Sequence, residues 1–228
     1  MMSYVIAIDG PAGSGKGTIA KLLSTRLSFL HLDSGAIYRC VTLETIERNI
    51  KLNEVEKIAN LIDTMQIEFK EDGVVFLNGK DVTKRIREND INNIVSDVAK
   101  IKELREKVEI LQRGMAKKSN IIMEGRDIGT TVFPNADLKF YLDADIKERA
   151  NRRYKENLEK GIDTTYDEVL NILKNRDYID MNREVSPLKR ADDAILIDAT
   201  YLTIDETVNK LENIVKEKLG GLYVTENN

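Results

Sequence analysis

Residues 4–18 read YVIAIDGPAGSGKGT. Tyr4 to Ile8 form a short apolar run stopped by Asp9-Gly10, the pattern of a buried strand, and from Lys16 onward Ile19, Leu22, Leu23 and Leu27 recur at helical spacing. The unit is strand, glycine loop, helix. Its loop follows G-x-x-x-x-G-K, except that Gly17 stands where Ser or Thr is usual and Thr18 comes one place later. In such a loop glycines let successive backbone N–H groups face phosphate oxygens, and the helix N-terminus adds its dipole. Gly10, Pro11, Ala12, Gly13, Ser14, Gly15, Lys16, Gly17 and Thr18 are therefore read as a phosphate cradle, with Lys16 reaching the β and γ phosphates. A glycine turn that merely joins two elements is the bland alternative; a strand ending directly before the loop and a helix opening at Lys16 argue against it.

The chain has 228 residues, 42% of them apolar and 32% charged, with 13 Gly and 3 Pro. That is room for one α/β domain with modest insertions and a substantial core, far from the composition of disorder. Lys and Arg number 35 against 39 Asp and Glu, a net charge of -4, so the chain as a whole attracts neither nucleic acid nor an anionic membrane. Any anion it binds needs a local cluster. The run at 4–8 is much too short for a secretory core, and no later run approaches the roughly twenty apolar residues of a membrane span. A soluble, cytoplasmic protein acting as a monomer is expected. Cys40 and His31 each occur once, which excludes an intrachain disulfide, a multi-cysteine metal site and any mechanism needing two histidines. Both are read as structural.

Further strands are expected at Leu30 to Asp33, Asn120 to Glu124, Leu138 to Asp143 and Ala194 to Asp198, most of them separated by helical segments. This alternation predicts a mostly parallel five-stranded sheet flanked by helices, with ligands at the carboxyl ends of the strands. One stretch departs from it. Between Gln66 and Thr83 short runs, IEF and VVFL, are punctuated by Glu71-Asp72-Gly73 and Asn78-Gly79, both hairpin signals. A small antiparallel insertion is expected at 63–96, within a core of 1–62 and 97–228. Leu104, Val108, Leu111 and Met115 restore the helical period over Ile101 to Lys117.

Arginine placement says more about chemistry. After the fourth strand Arg149, Arg152 and Arg153 share one face of a predicted helix, and in the next helix Arg176 and Arg183 stand two turns apart with Asp180 between them, placed to orient both. Each group is open to a second reading, a solvated face with ordinary salt bridges, for which Glu148 and Asp177 are at hand. Arg39 and Arg126 add guanidiniums at predicted carboxyl ends of strands, where the glycine loop also opens. Two polyanions converging on one crevice account for the whole set. Phosphoryl transfer between two phosphorylated molecules rests mostly on alignment and charge neutralisation. No dedicated general base is needed, because a phosphomonoester with a second pKa near 6 is already a dianionic nucleophile.

Longer stretches make the match more specific. IAIDGPAGSGKGT, LDSGAIYR, the segment Ser96 to Arg105, EGRDIGTTVFP, the pair Arg152-Arg153, RDYIDMNR and SPLKRADDAILIDAT stand in order along the whole chain. In these the sequence resembles the P-loop nucleoside-monophosphate kinases, most closely the bacterial cytidylate kinases. The resemblance implies ATP as phosphoryl donor, CMP and dCMP as acceptors, and a requirement for Mg²⁺. It places the acceptor at Ser34, Tyr38, Arg39, Ser96, Arg105, Arg126, Asp127, Arg176, Asp180 and Arg183. It also implies catalytic roles for Lys16, Arg126, Arg152, Arg153 and Arg183, a hairpin insertion closing over the monophosphate, and a helical lid at about 148–166 carrying Arg152 and Arg153. Asp127 would accept from the cytosine amino group while Arg105 donates to an acceptor edge, with Arg39, Arg126 and Arg183 on the phosphate and Asp180 with Arg176 on the sugar side. Because Gly17 departs from the usual hydroxyl, the metal ligands stay open, with Thr18 a candidate acting through water.

Two other readings have distinguishable signatures. A kinase for another small acceptor differs in which acceptors turn over. A nucleotide-dependent switch needs no second anion site, and the chain has no N-K-x-D guanine-reading motif. A nucleic-acid-binding module is disfavoured by the acidic balance and the lack of an aromatic-rich basic stripe.

Overall fold

The computed structural model describes residues 4–70, 73–117 and 119–220. Its centre is a five-stranded parallel sheet of β1 (Val5–Asp9), β2 (Leu30–Asp33), β6 (Ile121–Gly125), β7 (Leu138–Asp143) and β8 (Ile195–Asp198) in the order β2-β6-β1-β7-β8. The strands expected at 30–33 and 138–143 have those bounds, those expected at 4–8 and 120–124 are each displaced by one residue toward the C-terminus, and the last starts one residue later than expected. At β6 the shift brings Gly125 into register opposite Asp9. The carboxyl ends of β2, β6 and β1 therefore lie side by side.

Both faces of the sheet are covered, which is why its inner strands read as unbroken apolar runs rather than alternating ones. On one face Ile6, Ile8 and Phe140 pack with Leu23 of α1 (Lys16–Leu27) and with Val208, Leu211 and Val215 of α8 (Ile204–Leu219). On the other, Ala7, Leu32 and Met123 meet Ile128 and Val132 of a π-helical turn, Ile128–Val132. Thr203 and Glu206 open α8 with a capping box, and Asp33 caps α2 (Ser34–Glu47) by accepting from the Ala36 N–H. The helix α1 has no side-chain cap; Gly15, at φ 89°, turns the chain into it and leaves its first N–H groups facing the cleft.

The antiparallel segment is a three-stranded sheet of β3 (Ile67–Phe69), β4 (Val75–Leu77) and β5 (Lys80–Asp81). Asn78 and Gly79, both with positive φ, form the expected two-residue turn between β4 and β5. Glu71 and Asp72 of the other expected turn lie outside the described residues. The text after β5 turns helical, through a 3₁₀ turn at Arg85–Arg87 into α4 (Asn89–Val98), whose Ile91, Val95 and Val98 are buried along one face. Val75, Leu77 and Val82 pack on Ala36, Cys40 and Leu43 of α2, so this sheet shares its core with the main domain. Cys40 is wholly buried and its thiol is pushed up to about 12 by desolvation, as a structural cysteine should be. The helices α3 (Val55–Leu61) and α5 (Lys102–Met115) form a second cluster with Ile37, Tyr38 and Val41 of α2, and α6 (Ile146–Glu159) packs against α7 (Tyr166–Asn182) beyond β7. Among the described residues no helix is long and apolar enough to cross a membrane.

Phe140 is 1% exposed in the layer between the sheet and α1 and α8. Phe140→Ala is expected to lower stability by roughly 3–5 kcal/mol in urea unfolding, with an unchanged denaturant slope.

Candidate active site

The carboxyl ends of the sheet open into one cleft of about 1430 Å³. The glycine loop forms its floor, α2 and α4 one wall, α6 and α7 the other, and residues 199–204 the far rim. Every residue expected on the acceptor side lines it, as do Lys16, Arg152 and Arg153. Of the loop, Ala12 to Lys16 and Thr18 reach the cleft, whereas Gly10, Pro11 and Gly17 do not line it.

On the loop side Lys16 is buried and its ammonium donates to the Pro11 carbonyl at 3.0 Å. Desolvation and the neighbouring Arg126 pull it down to about 7, opposed by Glu124. Glu124, at the end of β6, is pushed up to about 7 by burial and by the nearby Asp33 anion, opposed by Lys16. A Cβ on Gly17 would stand 2.7 Å from Glu124 Oε1. The carboxylate thus fills the space that the side chain of the usual Ser or Thr would need, which gives the sequence departure at Gly17 a physical reason.

The arginine row of α6 divides. Arg149 is buried behind the loop: its Nη1 donates to the Ala12 carbonyl at 2.8 Å and to Asp177 Oδ2 at 2.6 Å, while Asp177 Oδ1 accepts from the Ala12 N–H at 3.2 Å. The pair braces the loop at Ala12, and Arg149 also lines the cleft. Arg152 Nη2 donates to the carbonyls of Ala199 and Thr200 at 2.7 and 2.9 Å, and its Nε to Glu148 at 3.1 Å. Arg153 pairs with Glu156 at 3.0 Å. The salt-bridge reading thus describes Arg149 with Asp177 and Arg152 with Glu148, and Arg152 and Arg153 still present guanidiniums to the cleft.

On the acceptor side the charges interlock. Arg105 pairs with Asp127 Oδ2, donates to the Ala99 carbonyl at 3.1 Å, and lies 5.4 Å from the centre of the Tyr38 ring. Arg183 Nη2 stands 3.3 Å from the other oxygen of Asp127. Arg39 and Arg87 share Asp33, and against the upward push of burial they hold its carboxyl down to about 2. Asp180, expected between Arg176 and Arg183, takes its close contact from the residue after β6 instead: Arg126 Nε donates to it at 2.7 Å, and Arg183 is 4.0 Å away. Arg176 is brought down to about 10 by burial and by Arg126, and its buried Nε has no hydrogen-bond partner. His31 is half-buried, with both ring nitrogens lacking a hydrogen bond and Nε2 3.9 Å from Glu124 Oε1, and desolvation lowers its pKa.

Sequence reading passed over four of these groups. Asp177 was seen only as a salt-bridge partner, and Asp33, Glu124 and Arg87 were not singled out. An acid ending an apolar strand beside the loop, as Glu124 does, is a usable signal; nothing local marks Arg87, which the antiparallel segment folds back toward Asp33.

The family model for cytidylate kinase matches residues 6–217. The chain belongs to the cytidylate kinase family. Curated relatives include the cytidylate kinase of Caldicellulosiruptor saccharolyticus, 48% identical over 96% of this chain and 99% of its own length. That of Fusobacterium nucleatum is 47% identical over 95% and 99%. Among solved structures, a gluconokinase from Sinorhizobium meliloti superposes with a TM-score of 0.51 at 10% identity, covering 98% of each chain. An uncharacterised protein from Eubacterium ventriosum gives 0.53 at 12%, covering 95% of this chain and 99% of its own. These two share the fold. The chain is a phosphotransferase that phosphorylates a nucleoside monophosphate.

Burial of Glu124 gives the free kinase a pH signature. A carboxyl raised in the folded state binds its proton there at pH values where the unfolded chain has lost it, so its contribution to stability falls as pH rises from about 4.5 to about 7 and is flat above. Urea unfolding of wild type and Glu124→Gln without nucleotide is expected to show wild type losing stability relative to the variant across that window, and an unchanged difference between them would contradict the raised carboxyl.

Proposed function

We propose that the kinase transfers the γ-phosphoryl group of ATP to CMP and dCMP, giving ADP and the pyrimidine nucleoside diphosphate. The observation that carries this is the Arg105–Asp127–Arg183 cluster, buried in the same cleft as Lys16. A carboxylate held between two guanidiniums is an acceptor of fixed direction, suited to the amino group of cytosine, and the neighbouring Arg105 supplies donors for an acceptor edge of the ring. Uracil presents a carbonyl where cytosine has the amino group, and leaves Asp127 facing an acceptor. Discrimination of this kind is strong, because the wrong base strands buried polar groups.

In this reading Ala12 to Lys16 and Thr18 hold the triphosphate at the uncapped N-terminus of α1, Gly10, Pro11 and Gly17 shape the loop around them, and Lys16 exchanges the Pro11 carbonyl for phosphate oxygens. Arg39, Arg126 and Arg183 take the acceptor phosphate, and Ser34, Tyr38 and Ser96 complete its pocket. Asp180 and Arg176 face the sugar. Arg152 and Arg153, on a lid of about 148–166, follow the transferring group and exclude water. The antiparallel segment at 63–96 closes over the acceptor. With two phosphates aligned in line and their charge neutralised, transfer proceeds without a general base.

The residues also fit Mg²⁺. Among the described residues no group of three or more His, Cys, Asp or Glu forms a metal cage, yet this ion takes most of its ligands from phosphates and water, with one or two carboxylates. Thr18 and Glu124 would hold it through water, and bound there it neutralises charge on the β and γ phosphates. A lone buried cysteine fits a reducing cytoplasm.

Coupled assay of ADP release with ATP, Mg²⁺ and a panel of acceptors is expected to rank CMP and dCMP well above AMP, GMP and dTMP. Equal rates across bases would remove the role given to Asp127 and Arg105. Lys16→Ala is expected to lower kcat by roughly 10²–10³-fold. Asp127→Ala should instead raise KM for CMP and relax the preference for CMP over UMP, with a smaller effect on kcat; an unchanged preference overturns the assignment.

A further inference from the structure

The acceptor-side residues Arg126 and Asp127 lead directly into the π-helical turn Ile128–Val132. The far end of that turn is tied down twice. Arg113 donates to the carbonyls of Val132 and Thr131 at 2.8 and 3.0 Å, and Lys139 donates to the Pro134 carbonyl while pairing with Asp193. The near end, adjoining Asp127, is held differently. Asp9, 4% exposed, gives one carboxylate oxygen to each of two consecutive backbone N–H groups: Oδ1 accepts from Ile128 at 2.9 Å and Oδ2 from Gly129 at 2.7 Å. Asp9 closes β1, and the next residue, Gly10, opens the phosphate loop.

Purely structural filling does not call for a carboxylate here. The side chain is deeply buried and Asp127 lies near enough to oppose its charge, so ionised Asp9 is costly to hold. What it supplies is two acceptor oxygens in one plane, matched to two adjacent donors, and an amide of the same shape has one. Space is equally constrained: a Cβ on Gly129 would lie 3.1 Å from Lys139 Cδ and 3.4 Å from Asp9 Oδ2.

We propose that Asp9 is a positioning residue for acceptor recognition: by clamping the N–H groups of Ile128 and Gly129 it sets where the Asp127 carboxylate stands between Arg105 and Arg183. The strand that launches the donor loop thereby also fixes the base-reading carboxylate. This rests on Asp127 reading the base, as proposed above.

The test compares wild type with Asp9→Asn, using CMP and UMP as acceptors at saturating ATP, alongside the KM for ATP and thermal unfolding. Losing one of the two clamping bonds is expected to raise KM for CMP by roughly 10- to 100-fold, the worth of a hydrogen bond to a charged group. The ratio of kcat/KM for CMP over UMP should fall about as far, while KM for ATP stays within about threefold. Gly129→Ala presses on the same clamp without altering Asp9, and is expected to show the same acceptor-selective signature. If folded Asp9→Asn, or Gly129→Ala should the former fail to fold, keeps the wild-type KM for CMP and the CMP-to-UMP ratio, the proposal is wrong. A wild type indifferent to CMP and UMP would instead strike at the base-reading role of Asp127, while the KM for CMP would still report on the clamp.

Discussion

Guanidinium groups repel one another, and burying several along one cleft wall requires an anion for each cluster. Four carboxylates meet that need: Asp33 between Arg39 and Arg87, Asp127 between Arg105 and Arg183, Asp177 against Arg149, and Asp180 against Arg126. Each is buried, and each sits at or beyond the carboxyl end of a strand or on the inner face of α7. Without them the cleft would hold a repulsive cluster that folding has no means to offset. With them, a chain of net charge -4 keeps a dense local array of cations ready for phosphate.

The same pairing explains how the array stays ordered and still exchangeable. Arg149 and Asp177 are fully engaged with each other and with the backbone of Ala12, so they fix the phosphate loop from behind. Lys16 has only a carbonyl to donate to, and Arg176 has an unpartnered buried Nε. Arg149 and Asp177 hold the frame, whereas Lys16 and Arg176, short of partners, line the cleft. In the proposed reading an incoming phosphate meets donors whose desolvation cost was incurred on folding.

Packing ties the two sides of the site together. The three-stranded sheet shares its core with α2, the helix that also carries Ser34, Tyr38 and Arg39, and Arg87 from the turn that follows β5 reaches the same Asp33 as Arg39. The turn bearing Ile128 and Gly129 hangs from Asp9 on the strand that enters the glycine loop. Donor and acceptor surfaces are thus two outgrowths of adjacent strand ends, not separate modules.

Local pattern was enough for the frame. The apolar runs, the glycine loop at residues 10–18 and the hairpin turn at Asn78-Gly79 each encode their conformation within a few residues, so strands, sheet class and antiparallel segment were legible from periodicity and backbone preference alone. The family was legible too, because its long motifs run through the whole chain. What stayed hidden depends on which charges meet. Asp180 pairs with Arg126 across 54 positions, Asp127 joins Arg105 and Arg183 from three different elements, and Glu124 explains Gly17 only once β6 lies beside the loop. A side chain's partners at such separations are fixed by strand order and register, and helical spacing sees only its own helix; that is why Arg149, Arg152 and Arg153 read as one row and fold into different tasks.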